Sequence, residues 1–260
     1  MCAVLRRLLL AAALLLPLAA AAEETVHTLA TRPGVSQRFL LLQPEHPVAS
    51  LILFSGGDGD LRIGDDGQLG WGKGNFLVRT RTDWAAQGFQ VAVVDAPSDH
   101  LPRGLGRFRE SAEHADDIAA VIHFLKQQMA VPVWLVGTSR GTTSAAAVAI
   151  HLAGQQLVDG VVLTSTILSR DGNVPGMALD KLTVPVLLVH HRSDQCFVTP
   201  YGQIGQLMER LHGTTSELIT IEGGRNVGDA CEAKAYHGYN GVEAEVVQKV
   251  ADWIKAHSPR

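Results

Sequence analysis

Compact runs of apolar residues alternate along this chain with stretches in which apolar residues recur about every third or fourth position. The uninterrupted runs predict strands at Val26–Thr31, Gln37–Gln43, Ala49–Phe54, Phe89–Val94, Val131–Val136, Val158–Thr164, Val184–His190 and Glu217–Ile221. The first two are expected to pair as an antiparallel edge. Between the strands, Ala115, Ile118, Ala119, Ile122, Leu125 and Met129 fall on one helical face, as do Val242, Val246, Val247, Val250, Trp253 and Ile254. Further helices are expected over Phe76–Gln87, Arg140–Ala153 and Pro200–Leu211. Strands that are apolar at every position, separated by one-faced helices, describe an α/β protein: a mostly parallel eight-stranded sheet with helices on both faces.

The amino terminus breaks this alternation. Arg6 and Arg7 precede the apolar stretch Leu8–Leu18, and Ala20-Ala21-Ala22 offers small residues ahead of Glu23 and Glu24, which reads as a cleavable export signal over residues 1–22. Leu and Ala fill every face of that stretch, unlike an amphipathic core helix. The expected organisation is therefore a signal peptide, 1–22, and a single domain, 23–260, in the periplasm or secreted. At 46% hydrophobic and 18% charged residues the chain is too apolar for a disordered protein. A net charge of −4 provides no field for nucleic acid. No apolar run reaches the roughly 18 to 20 residues of a membrane-spanning helix. Cys2 leaves with the signal, so Cys196 and Cys231 are the remaining pair in an oxidising compartment, where a disulfide between them is the natural reading.

Candidate chemistry begins where the fifth predicted strand runs into Gly137-Thr138-Ser139-Arg140-Gly141 and then a helix-compatible segment. A GxSxG sequence in a strand-turn-helix setting is a nucleophile elbow: the turn is too sharp for side chains at 137 and 141, and it exposes the Ser139 hydroxyl. Serine needs a histidine to take its proton and a carboxylate to orient that histidine. The strand ending at His190 leads into Asp194, and the loop after the last strand carries His237, so Ser139, Asp194 and His237 are the candidate catalytic residues. Asp95, Asp99 and Asp171 also follow strands and remain rival acids, whereas His190 and His191 read as packing or hydrogen-bonding residues.

With the GTSRG elbow and the order Ser, Asp, His in place, residues 48 to 257 resemble the α/β-hydrolase superfamily, in the compact outline of dienelactone-hydrolase-like enzymes. Those enzymes use a cysteine where this chain has Ser139. The resemblance implies an oxyanion hole built from the backbone N–H of Arg140 and a donor in the glycine loop after the third strand, at Gly57 or Asp58. Only Ser165–Thr183 is available for a lid, which implies an open or shallow pocket. Arg103, Arg107, Arg140, Arg170, Arg192 and Arg225 fall in loops expected near its mouth. The expected function is a serine carboxylesterase acting on a small-molecule ester or other acyl substrate, without a cofactor. Alternatives are a serine peptidase or acyltransferase with the same triad, or a binding protein without turnover. Gly67–Lys73 lacks the Ser or Thr of a phosphate-binding loop, and Asp58, Asp60, Asp65 and Asp66 lack the spacing of a calcium loop, so no metal or nucleotide site is expected.

Overall fold

The computed structural model describes residues 22–259; the expected export signal lies outside the described residues except for Ala22. Eight strands form one sheet in the order β1-β2-β4-β3-β5-β6-β7-β8. They are β1 (Glu24–Arg32), β2 (Val35–Leu42), β3 (Ala49–Phe54), β4 (Phe89–Val94), β5 (Val133–Thr138), β6 (Gly160–Thr164), β7 (Val186–His191) and β8 (Ser216–Ile221). The pairings β1–β2 and β2–β4 are antiparallel, and the pairings β3–β4, β3–β5, β5–β6, β6–β7 and β7–β8 are parallel. Registers of Phe54 with Gly137, Thr138 with Thr164 and His191 with Ile221 bring the carboxyl ends of five strands to one edge, and the candidate chemistry gathers there.

From β3 to β7 the sheet is buried on both faces, which explains the continuous apolar runs. Ile52 and Phe54 of β3 pack into one core with α3 (Ala112–Gln128), α4 (Gly141–His151) and α5 (Ile204–Arg210). Their neighbours Leu51 and Leu53 point into the opposite core, with α1 (Phe76–Arg79), α2 (Arg81–Ala86) and α6 (Glu243–His257). This alternation is the period of 2 of a pleated strand with two buried faces.

β6 and β7 each begin two residues later than expected, and the helix expected over Pro200–Leu211 is a 3₁₀ turn, Tyr201–Gln203, followed by α5; two further departures have a local reason. The helix expected over Phe76–Gln87 is two helices that break at Thr80, whose hydroxyl donates to Phe76 O at 2.7 Å and accepts from Trp84 Nε1 at 3.0 Å. The fifth strand starts at Val133 rather than Val131, because Pro132 has no N–H for the ladder, and it continues through Gly137 and Thr138 into the elbow. Among the described residues no helix is long and apolar enough to cross a membrane.

Beneath the carboxyl edge, α3 carries a fully buried imidazole. His114 packs against Phe54 and Phe108, and neither ring nitrogen has a hydrogen-bond partner. Burial, reinforced by the charges of Arg109, His100 and Arg32, pushes its pKa down to about 3. In the unfolded chain the same group titrates near its ordinary value of about 6.5. Between those values the unfolded chain holds a proton that the folded chain does not, so stability is lost as pH falls from about 6.5 toward 3. Relative to His114→Leu, the wild-type protein should lose about 1 kcal/mol per pH unit below 6. Urea unfolding of both proteins at pH 7, 5.5 and 4 measures this, and parallel pH dependences would show that the imidazole protonates equally in both states.

Candidate active site

Ser139 follows β5 in a left-handed conformation, with φ of 51°. A non-glycine residue is rarely held there, and the surrounding contacts enforce it. A Cβ on Gly141 would lie 2.0 Å from the Phe54 carbonyl oxygen, and one on Gly137 would lie 2.4 Å from the Gly141 carbonyl oxygen. Ser139 N–H donates to Thr164 O at 3.0 Å, and the Thr142 hydroxyl closes the turn onto Ser139 O at 2.6 Å.

The acid and the histidine arrive from β7 and from the loop after β8. Asp194 is buried, and its Oδ2 accepts from His237 Nδ1 at 3.0 Å and from the Thr199 hydroxyl at 2.9 Å, while Oδ1 accepts from Cys196 N–H at 2.9 Å. Burial alone would raise the Asp194 carboxyl. The hydrogen bonds from His190 and His237, the charge of His237 and the Cys196 N–H outweigh it and hold the carboxyl below the usual carboxylate range. Because Nδ1 of His237 faces a carboxylate, it carries the proton, and Nε2 is left as the acceptor. Ser139 and His237 line the same cavity, and no hydrogen bond joins Ser139 Oγ to His237 Nε2.

Of the rival residues, Asp95, Asp99 and His191 are engaged elsewhere. Asp95 accepts from the N–H groups of Leu61, Arg62, Ile63 and Ala96, pinning the segment after the glycine loop. Asp99 pairs with Arg32. Asp171 lines a wide cleft beside Ser139, and among the described residues no hydrogen bond or ion pair joins it to a histidine. His191 accepts from Ser193 N–H at 3.0 Å, donates to Gly223 O at 2.9 Å and stacks on Tyr236. His190 donates to Thr199 O at 2.8 Å and stands 3.4 Å from Asp194 Oδ2.

Several supporting residues carry no motif and escaped the sequence analysis. Thr199 braces the acid, as above. Ser165, itself at φ 45°, donates its hydroxyl to His237 O at 2.7 Å, and Tyr239 receives Ser165 N–H while donating to Val189 O. These bonds tie the histidine loop to the ends of β6 and β7. Arg109 is the fourth. Fully buried, it donates through Nη1 to Ser144 Oγ at 2.8 Å and through Nη2 to the carbonyls of Ser55 and Gly57, each at 3.2 Å. Burial first, and then the charge of Arg140, pull its pKa down to about 9, so it remains charged at neutral pH. Its carbonyl acceptors belong to the glycine loop after β3. That loop runs beside the elbow so closely that a Cβ on Gly56 would lie 2.9 Å from Ser139 Cβ. Among the described residues the N–H groups of Gly57, Asp58 and Arg140 donate to no protein acceptor.

Two cavities meet at Ser139. A small one of about 250 Å³ is bounded by Trp71, Phe76, Ala233 and His237, and Trp71 stands over Gly57, where an added Cβ would meet its ring at 2.4 Å. A wider cleft of about 940 Å³ opens on the other side, past Arg140, Thr143, Ile167 and Phe197. Of the arginines expected at the mouth, Arg107, Arg140 and Arg170 line this cleft. Arg192 instead pairs with Glu222, and Arg103 and Arg225 lie outside both cavities. Among the described residues no three His, Cys, Asp or Glu side chains are grouped to hold a metal ion. Asp60 and Asp65 pair with Arg62 and Arg38.

No family model and no curated protein sequence matches the chain. Solved structures do match in fold. A dienelactone hydrolase from Anabaena variabilis superposes with a TM-score of 0.63 at 15% identity, covering 92% of this chain and 100% of that one. An esterase from Pyrococcus furiosus gives 0.65 at 13% identity over 92% of each chain. An α/β serine hydrolase without a lid from Xanthomonas campestris gives 0.63 at 14%, covering 92% of this chain and 96% of that one. The chain has the α/β-hydrolase fold.

Cys196 and Cys231 join the site from its two loops, with sulfurs 2.04 Å apart. One follows the Asp194 turn and the other lies in the loop that carries His237. Replacing both by serine should remove about 2 to 4 kcal/mol of stability and lower activity at temperatures where the variant is still folded. Thermal unfolding alongside steady-state rates measures this. Full activity in the folded variant would show that the link serves stability alone.

Proposed function

We propose that the protein is an exported serine hydrolase, a carboxylesterase that forms an acyl-enzyme on Ser139. The observation that carries this reading is a serine held at φ 51° on a glycine-flanked elbow, sharing a cavity with a histidine whose Nδ1 bonds a buried carboxylate. In this reading His237 Nε2 takes the proton from Ser139 Oγ as the oxygen bonds the ester carbonyl carbon, and the carbonyl electron pair moves onto its oxygen. The N–H groups of Arg140 and of Gly57 or Asp58 receive that negative charge, an arrangement supported by their lack of acceptors elsewhere in the protein. Collapse breaks the bond to the alcohol, which leaves with the proton from His237. Water activated by the same nitrogen then releases the acid and restores Ser139.

Asp194 keeps His237 in the required tautomer and stays ionised because its hydrogen bonds outweigh its burial. Peptidase or acyltransferase chemistry would use the same groups with a different leaving group or acceptor. Access of water favours hydrolysis over acyl transfer: the segment Ser165–Thr183 contributes no wall to the small cavity, and its two short 3₁₀ turns lie outside the cleft as well. Export rests on the amino-terminal sequence together with the paired cysteines, which suit an oxidising compartment.

A fluorophosphonate probe should label Ser139 alone, and Ser139→Ala should lower ester turnover by about 10⁶-fold. Asp194→Asn should leave the fold intact and lower kcat by about 10⁴-fold. Undiminished turnover by Ser139→Ala, measured with a series of aliphatic esters, would end the proposal.

Arg109 tests the oxyanion arrangement from behind. The Gly57 carbonyl that it holds shares a peptide unit with the Asp58 N–H, so the guanidinium sets the direction of that donor. Arg109→Lys keeps the charge and loses the fork that spans two carbonyls and a hydroxyl. It should lower kcat by about 10- to 100-fold, with KM nearly unchanged and fluorophosphonate labelling slowed in parallel. A loss confined to KM would show that the loop serves binding alone.

A further inference from the structure

The two cavities that meet at Ser139 are chemically unequal. His237 lines the small cavity of about 250 Å³ and is absent from the walls of the cleft of about 940 Å³. In the reaction above the departing alcohol oxygen must receive its proton from His237 Nε2, so the alcohol leaves on the side that the histidine lines. The acyl substituent, on the other side of the carbonyl carbon, needs only Ser139 and the candidate oxyanion donors beside it. The large cleft supplies all of these: Ser139, Gly57, Asp58 and Arg140 line it.

Resting on the hydrolase reading, we propose that the substrates are esters whose alcohol is smaller than their bulky, uncharged acid, the alcohol seated against Trp71 and the acyl group in the cleft past Phe197. The small cavity is closed in by the indole of Trp71, which lies against Gly57, and by Phe76 beneath. At about 250 Å³ against about 940 Å³ it is the tighter of the two spaces, and a bulky group fits the cleft more readily. The cleft offers Ile167, Val198 and the 62% exposed ring of Phe197, with the Arg170 guanidinium stacked 4.5 Å from that ring. Charge in the cleft balances. Arg107, Arg109, Arg140 and Arg170 face Asp58, Glu110, Asp171 and Glu232, so the walls provide no net positive field to select an acyl group with its own carboxylate.

The test uses a mirrored pair, methyl 3-phenylpropanoate and 3-phenylpropyl acetate, which place the same phenylpropyl frame on the acyl or the alcohol side and release alcohols of similar acidity. The structure predicts that kcat/KM favours methyl 3-phenylpropanoate by about 10-fold or more. Trp71→Ala should narrow that ratio by about 5-fold or more as the alcohol cavity enlarges, and Phe197→Ala should raise KM for the methyl ester alone. A smaller preference, the reverse preference, or a ratio unmoved by Trp71→Ala overturns the assignment of the cavities while leaving a working esterase. Labelling of Ser139 with turnover of neither ester overturns the substrate class. No labelling and no turnover removes the hydrolase reading itself.

Discussion

Everything at the carboxyl edge depends on the contact between the start of α4 and the end of β3. Position 141 sits so close to the Phe54 carbonyl that hydrogen is the only substituent it admits, and position 137 is closed by the same turn. A side chain at either would separate α4 from the sheet and relax Ser139 toward an ordinary backbone conformation. Because β3 leads directly into the glycine loop, the contact that strains the serine also brings Gly56, Gly57 and Asp58 alongside it. Strain and proximity thus come from one steric constraint, imposed by glycines at two positions.

Charge is handled differently on the two sides of the serine. Asp194 is a buried carboxylate with every oxygen engaged, the condition under which burying a charge is tolerable. Arg109 is a buried cation with no carboxylate on it, held by two carbonyls and a hydroxyl, with Nε unpartnered. A cation placed that way is costly, and its charge adds to the positive potential at the glycine loop, where the proposed intermediate would be negative. The neighbouring neutral His114 is part of the same economy: with a guanidinium close by and no acceptor for its nitrogens, the imidazole remains uncharged.

The fold was legible in the sequence because the five strands β3 to β7 are buried at every position. Continuous apolar runs such as Ala49–Phe54 and Phe89–Val94 coincide with strands to the residue, whereas Val131–Val136 slid by two because an apolar run does not register the missing N–H of Pro132. The elbow was legible because its glycines are demanded by geometry, and Asp194 and His237 because each lies in a loop at the edge where Ser139 emerges. Arg109, Thr199, Ser165 and Tyr239 were not legible. Each acts by reaching a backbone carbonyl or a side chain far away in sequence, and no spacing encodes such a contact. The arginines divide along the same line. Arg107, Arg140 and Arg170 reach the cleft, while Arg192 turns to Glu222, a choice made by loop packing and not by residue type.

The loop from Gly223 to Asn240 does more than carry a histidine. Its two ends are joined by the bond from Arg225 N–H to Asn240 O at 2.8 Å, and its middle by Val227 N–H to Lys234 O at 3.0 Å, so it stands as a closed unit above the sheet edge. Cys231 and Glu232, near its tip, line both cavities. The loop is therefore the ridge between them, facing Gly57 across the serine. Cys196 reaches the ridge from the acid turn, so its position is tied to the residue that orients His237. In a site with so short a covering segment, the wall that divides the cavities and the element that presents the histidine are one structure. A displacement of the ridge would alter the shape of both cavities and the position of His237 relative to Ser139 together, which in the proposed reaction couples the selection of the two ends of a substrate to the geometry of proton transfer.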